Sequence, residues 1–183
     1  PPHPHRLTLC QGGRMTHRRL VVPALLLLVL GLSACAGGPP LSLGGGYESC
    51  SSEIDEPVTF GDVARASAAG TVVMESIELE GAEGLALREV YLVPIQNQVS
   101  LGADAFPPAA EFWDRRVAVP GTAISPGEEV TVLVVVEAVG GGDTHGSEGY
   151  TARYSIDGRP YETTSSARFR LAPDCGAEDE DGP

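Results

Sequence analysis

Lysine is missing from the 183 residues: all 12 basic side chains are Arg, set against 25 Asp and Glu for a formal charge of −13. Without Lys there is no Schiff-base chemistry and no Ser-x-x-Lys nucleophile. The negative balance also excludes sequence-independent nucleic-acid binding, which requires a basic surface that displaces counterions. Aromatic residues make up 5% of the chain, with one Trp, and the two Met are too few for a Met-rich copper site. Long hydrophobic runs are scarce too. The longest, Leu20–Leu32, has 13 residues and contains Pro23, short of the roughly 20 that cross a bilayer. With 42% hydrophobic residues the chain is nevertheless too apolar for global disorder. Its length suits one domain. Its complement of Arg, Ala, Gly, Pro and Val fits a GC-rich coding sequence.

What is present begins at Met15. Thr16-His17-Arg18-Arg19 forms a short positive segment, the Leu20–Leu32 run follows, and Leu32-Ser33-Ala34-Cys35 closes it. A basic segment, a short apolar segment and small residues before a cut are the parts of a secretory signal peptide. Over residues 15–35 the chain resembles GC-rich, actinobacterial-type bacterial lipoprotein precursors, with Leu32-Ser33-Ala34-Cys35 matching the lipobox. The resemblance implies cleavage before Cys35, acylation of that Cys and a lipid anchor on the extracytoplasmic face of the cell membrane. The plain alternatives are cleavage after Ala34 to give an ordinary secreted protein, or an uncleaved anchor. Arg18-Arg19 fits twin-arginine export only loosely, so general secretion is expected. Residues 1–14 precede the Met and read as a start placed too far upstream, which leaves His3, His5 and Cys10 outside the expected protein.

Removal of residues 1–34 leaves 149 residues with eight Arg against 25 acids, or −17. Residues 35–46, rich in Gly and Pro, have the composition of a flexible tether. Residues 47–175 are the expected folded domain, and 176–183 form an acidic tail. With Cys35 acylated, Cys50 and Cys175 remain, one at each border of the domain. An isolated pair in an exported protein reads as a disulfide. A thiol pair or metal site is the alternative, but no Cys-x-x-Cys accompanies it.

Between the cysteines the pattern is that of strands. Thr71–Leu79 alternates over its second half, and Leu87–Ile95 is rich in β-formers. The run 129–139 is nearly all apolar and β-branched, as in a central strand buried on both sides. Tyr150, Ala152, Tyr154 and Ile156 share one face of a strand. Tyr161, Ala167, Phe169 and Leu171 share a face of the next, and Asp157-Gly158 supplies a hairpin turn between the two. Short helices are expected only over 60–69 and 107–113, the latter with Pro at its start. These elements predict an all-β fold, an antiparallel β-sandwich of immunoglobulin-like type.

Candidate sites are few. The loop 140–149 brings Asp143, His145 and Glu148 together, but its spacing fits no calcium loop, so a polar and mobile connection is expected there. Ser147 beside His145 lacks the supporting geometry of a hydrolytic triad. Neither metal nor cofactor is expected, and no catalytic residue is assigned. Phe112-Trp113 and Arg115-Arg116 hold the single Trp beside paired Arg. Trp, Tyr and Arg dominate interface hot spots, so this segment is the candidate partner contact. The competing and preferred reading of Trp113 alone is a core residue plugging one end of the sandwich. The expectation is therefore a non-catalytic, lipid-anchored binding module. It would meet the membrane through its anchor and an unidentified protein or envelope partner through its loops. A structural envelope lipoprotein is the alternative, and a hydrolase or metal-binding protein ranks below both.

Overall fold

A computed structural model describes residues 39–67, 70–95, 102–109 and 111–175. The residues read as an upstream segment and a signal peptide, Cys35 and the acidic tail lie outside these residues. The described chain is all-β, an antiparallel β-sandwich of immunoglobulin-like class with one parallel strand pair. Its strands are β1 (Leu41–Leu43), β2 (Glu48–Ser51), β3 (Val58–Ala66), β4 (Val72–Glu80), β5 (Leu85–Pro94), β6 (Ala103–Ala105) and β7 (Val117–Ala118). They continue with β8 (Ala123–Ile124), β9 (Glu129–Ala138), β10 (His145–Ser147), β11 (Gly149–Ile156), β12 (Arg159–Ser165) and β13 (Arg168–Leu171).

One large sheet runs β1-β3-β9-β5-β7, with β6 also alongside β3. The facing sheet runs β12-β11-β4-β8, and a small sheet β10-β13-β2 covers one end. As the 129–139 run demands, β9 is central, with β3 and β5 on its two sides. Val132, Val134 and Val136 join the main core, which is filled from the other sheet by Met74, Ile77, Tyr150 and Tyr154. Leu133 and Val135 alternate to the opposite face and are equally buried. That face is covered because the chain passes from β6, beside β3, to β7, beside β5.

Four boundaries depart from the expectations. Residues 60–66 belong to strand β3 rather than to a short helix. The Ala residues there favour a helix, but pairing along both edges and burial of Phe60, Ala64 and Ala66 override that preference. The tether ends earlier than expected, because Leu41–Leu43 pairs with Ala64–Ala66 and Leu41 is fully buried. The expected strand 161–171 is two strands. Ser165 ends β12 and its Oγ accepts a hydrogen bond from Ala167 N at 3.1 Å; the chain then joins the small sheet as β13. Tyr161 stacks on its cross-strand partner Tyr154 at 5.6 Å but, on the sheet's edge, remains 38% exposed. The helix expected over 107–113 is a short 3-10 helix at Glu111–Arg115.

One buried polar knot joins the two large sheets. Asp62 on β3 is 3% exposed. Its Oδ2 accepts from the Tyr150 hydroxyl at 2.7 Å and lies 2.9 Å from Ser165 Oγ, while Oδ1 accepts from Val63 N at 2.7 Å. Gly44, just after β1, passes so close that a Cβ there would overlap Oδ1, so glycine is needed at this position. Burial first, and the Asp62 charge second, push the Tyr47 and Tyr150 phenols above the usual tyrosine value of 10.0. A raised phenol favours the folded state's protonated form, so this stability is complete below pH ~10 and is lost as pH rises further. Urea unfolding should show flat stability from neutral pH up to that point and a fall beyond it. Tyr150→Phe should flatten the alkaline fall; a variant with an unchanged slope would remove Tyr150 as its source.

Candidate functional site

The outer face of the large sheet carries a ring cluster that the sequence only half reveals. Trp113, on the 3-10 helix, meets the Tyr91 ring edge-on at 5.1 Å and the Phe106 ring at 5.6 Å. The Arg116 guanidinium lies over the Trp113 ring at 4.1 Å and 5.3 Å from the Tyr91 ring centre. Arg116 Nη1 donates to the Trp113 carbonyl at 2.9 Å, which fixes the stack. Its Nε is buried without a hydrogen-bond partner among the described residues. The Tyr91 hydroxyl donates to Glu89, and that bond, followed by burial, raises its pKa.

Local chemistry explains the geometry. Pro107 and Pro108 follow Phe106, and the chain bends at Phe106-Pro107 before the helix. The single 3-10 turn then sets Trp113 and Arg116 three residues apart, one above the other. Phe112, Trp113 and Arg116 are half-buried, whereas Arg115 is exposed. Trp113 is therefore not a plug at the end of the sandwich; it stands outside the main core, on the outer face. Phe106 stands in the same segment as the expected contact residues, whereas Tyr91 was not expected. The available signal was the unbroken apolar run Val90–Val93, which requires cover on both faces of β5.

Beside the cluster runs a groove of about 430 Å³. Ile77, Leu87, Val90, Tyr91, Val119 and Pro120 supply its apolar surface, and Glu75, Arg88 and Glu89 also line it. An apolar floor rimmed by charges of both signs suits a largely apolar partner of low net charge.

The 140–149 loop behaves otherwise than expected. Residues 145–147 form β10, paired with β13, so this part is not a mobile connection. His145 is 4% exposed, donates from Nε2 to the Gly142 carbonyl at 3.1 Å, and packs Nδ1 against Gly84. Gly84 has φ +66 and no room for a Cβ, so glycine is needed there on both counts. A shallow cleft of about 280 Å³ lies alongside, lined by Glu48, Glu83, His145, Ser147, Arg168 and Arg170 among others. Glu48 sits 3.6 Å from Arg168 and 3.1 Å from Arg170, so its charge is engaged. Among the described residues no cluster of His, Cys, Asp or Glu could hold a metal ion, and Asp143, His145 and Glu148 do not converge. Nor is any described helix long and apolar enough to cross a membrane.

No family model matches the chain, and no curated protein does. Among solved structures it is similar to a PapD-like domain of human CEP192, with TM-score 0.40 and 9% identity over 87% of this chain and 97% of that one. It is also similar to part of a family 123 glycoside hydrolase from Clostridium perfringens, with TM-score 0.38 and 7% identity over 73% of this chain and 27% of that one. A third likeness is to AggA, the major subunit of aggregative adherence fimbriae type I from Escherichia coli, with TM-score 0.29 and 12% identity over 73% and 93%. Likenesses this distant assign neither an activity nor a partner.

The expected disulfide is present. Cys50 on β2 is bonded to Cys175, with 5.5 Å between their Cα atoms across 125 residues of sequence.

Proposed function

We propose that the chain is the precursor of a lipid-anchored extracytoplasmic protein whose β-sandwich is a non-catalytic binding module. The observation that carries the binding role is the half-exposed cluster of Trp113, Tyr91 and Phe106 with Arg116 stacked on it. Rings and an Arg held rigid outside the core lose little entropy on contact with a partner. The apolar groove beside them widens the surface, and the excess of acids over Arg in the chain disfavours anionic partners. The anchor rests on the signal segment and on Leu32-Ser33-Ala34-Cys35, and the disulfide agrees with an oxidising compartment.

Two experiments test the two halves. Cys35→Ala should move the protein from the membrane fraction to the soluble extracytoplasmic fraction; unchanged partitioning would overturn the anchor. For the patch, a photoactivatable residue at Phe112 should crosslink a discrete partner in intact cells, while the same probe at exposed Glu162 should not. Trp113→Ala should weaken that capture at least tenfold, the loss typical of a hot-spot aromatic. Its unfolding free energy should drop by under about 2 kcal/mol, because the ring is only half-buried. Crosslinking from neither position would return the protein to the structural-lipoprotein reading. Loss of folding in Trp113→Ala would make the ring a packing residue.

A further inference from the structure

We infer that the end of the sandwich where β1 begins lies against the phospholipid headgroup layer, with the disulfide end pointing outward. This rests on the Cys35 anchor proposed above. The fold begins much nearer Cys35 than the tether's composition suggests. The Pro40 carbonyl accepts from Ser67 N at 2.7 Å, and Leu41 is fully buried opposite Ala66. Only six residue steps therefore separate the acylated Cys from a fixed point in the sheet. Fully extended they reach at most about 20 Å, and a flexible Gly-rich chain of that length averages about 13 Å. The headgroup region itself takes up roughly 5 to 8 Å of that on each side of the bilayer.

Position in the fold then identifies the facing surface. Pro40 and Leu41 share one end of the sandwich with the 125–128 loop, whose Gly127 N donates to the Ala66 carbonyl, and with the Asp157-Gly158 turn, as Ile156 packs against Gly70. The opposite end carries the Cys50–Cys175 bond and the 140–149 loop.

Charge distribution points the same way. At the β1 end Arg65 pairs with Glu129 at 2.9 Å, Glu128 is turned onto Ser125 N at 2.8 Å, Arg159 and Asp157 flank one hairpin turn, and Ser125, Pro126 and Gly127 are neutral. Glu53, Asp55, Glu56, Glu83, Asp143 and Glu148 gather at the other end, where Arg168 and Arg170 share Glu48. An anionic headgroup layer is thus met by the less acidic end. The larger acid cluster sits one strand length away, about 30 Å for ten residues, well beyond the ~8 Å screening length at physiological salt.

The test uses the lipidated chain in vesicles of phosphatidylcholine and phosphatidylglycerol carrying a headgroup-linked quencher. A fluorophore is placed at Ser125→Cys in one sample and at Asp143→Cys in another. The probe at 125 should be quenched several-fold more strongly than the probe at 143. Equal quenching, or stronger quenching at 143, overturns the orientation while leaving the anchor intact. If the unsubstituted chain does not float with the vesicles, the anchor fails and the orientation with it. Inserting a flexible Gly/Ser segment of about 20 residues before Pro39 should level the two probes; a difference that survives would show that the short tether does not set the orientation and would overturn the inference.

Discussion

Asp62→Ala should lower the unfolding free energy by about 3 to 4 kcal/mol, through one orphaned hydroxyl, the acceptor lost to Val63 N and one small cavity. The asymmetry within the knot sets this value. Ser165 Oγ can still donate to the Gly44 carbonyl, 2.8 Å away. The Tyr150 hydroxyl is fully buried and donates to Asp62, so truncation leaves it without that acceptor. A buried unsatisfied hydroxyl costs about 1 to 3 kcal/mol, and the acceptor lost to Val63 N and the vacated space beside Gly44 add the rest. If that account is right, Asp62→Ala with Tyr150→Phe should be more stable than Asp62→Ala alone by about 1 kcal/mol, since the stranded donor has gone. Urea unfolding of the four proteins in the cycle measures both quantities. A loss below about 1 kcal/mol for Asp62→Ala would mean that the knot fixes geometry without stabilising the fold.

That knot also shows where sequence reasoning stops. Strands announce themselves through short-range pattern: the β-branched run 130–136 had to be central, and Tyr150 to Ile156 had to alternate, as both do. Asp62 carried no such signal. Phe60-Gly61-Asp62 read as the opening of a helix, because the β1 and β9 ladders that hold the segment extended, and the Tyr150 and Ser165 hydroxyls that hold Asp62, all come from distant parts of the sequence. Leu41-Ser42-Leu43 alternates over three residues only, too few to stand out among Gly and Pro, yet it marks where the fold begins. The aromatic patch was legible by half. Trp113 and Arg116 are neighbours in sequence, whereas Tyr91 and Phe106 join them only because the chain crosses the outer face of the large sheet. Composition likewise suggested that 140–149 is mobile, but pairing with β13 outweighs the glycines at 145–147.

Removing the disulfide should have the larger effect. Cys50→Ala with Cys175→Ala should cost about 4 to 5 kcal/mol, because the bond closes a loop of 125 residues in the unfolded chain. For a domain of this size that corresponds to a drop in Tm of roughly 15 °C. The bond's position explains why local structure cannot compensate. Strand β2 is held by a four-residue parallel ladder to β13, and Ala172 N donates to the Ser51 carbonyl at 3.0 Å just beyond it. Parallel pairing is the weaker kind, and among the described residues β2 pairs with no strand but β13. Without the bond, β2 should fray before the main sandwich opens, so amides of 48–51 should exchange faster than those of β9 by a widening margin. Reduction of the unsubstituted protein should reproduce the variant's midpoint. A variant within about 1 kcal/mol of the parent would show that the small sheet holds β2 unaided and that the unfolded chain is too compact for loop closure to count.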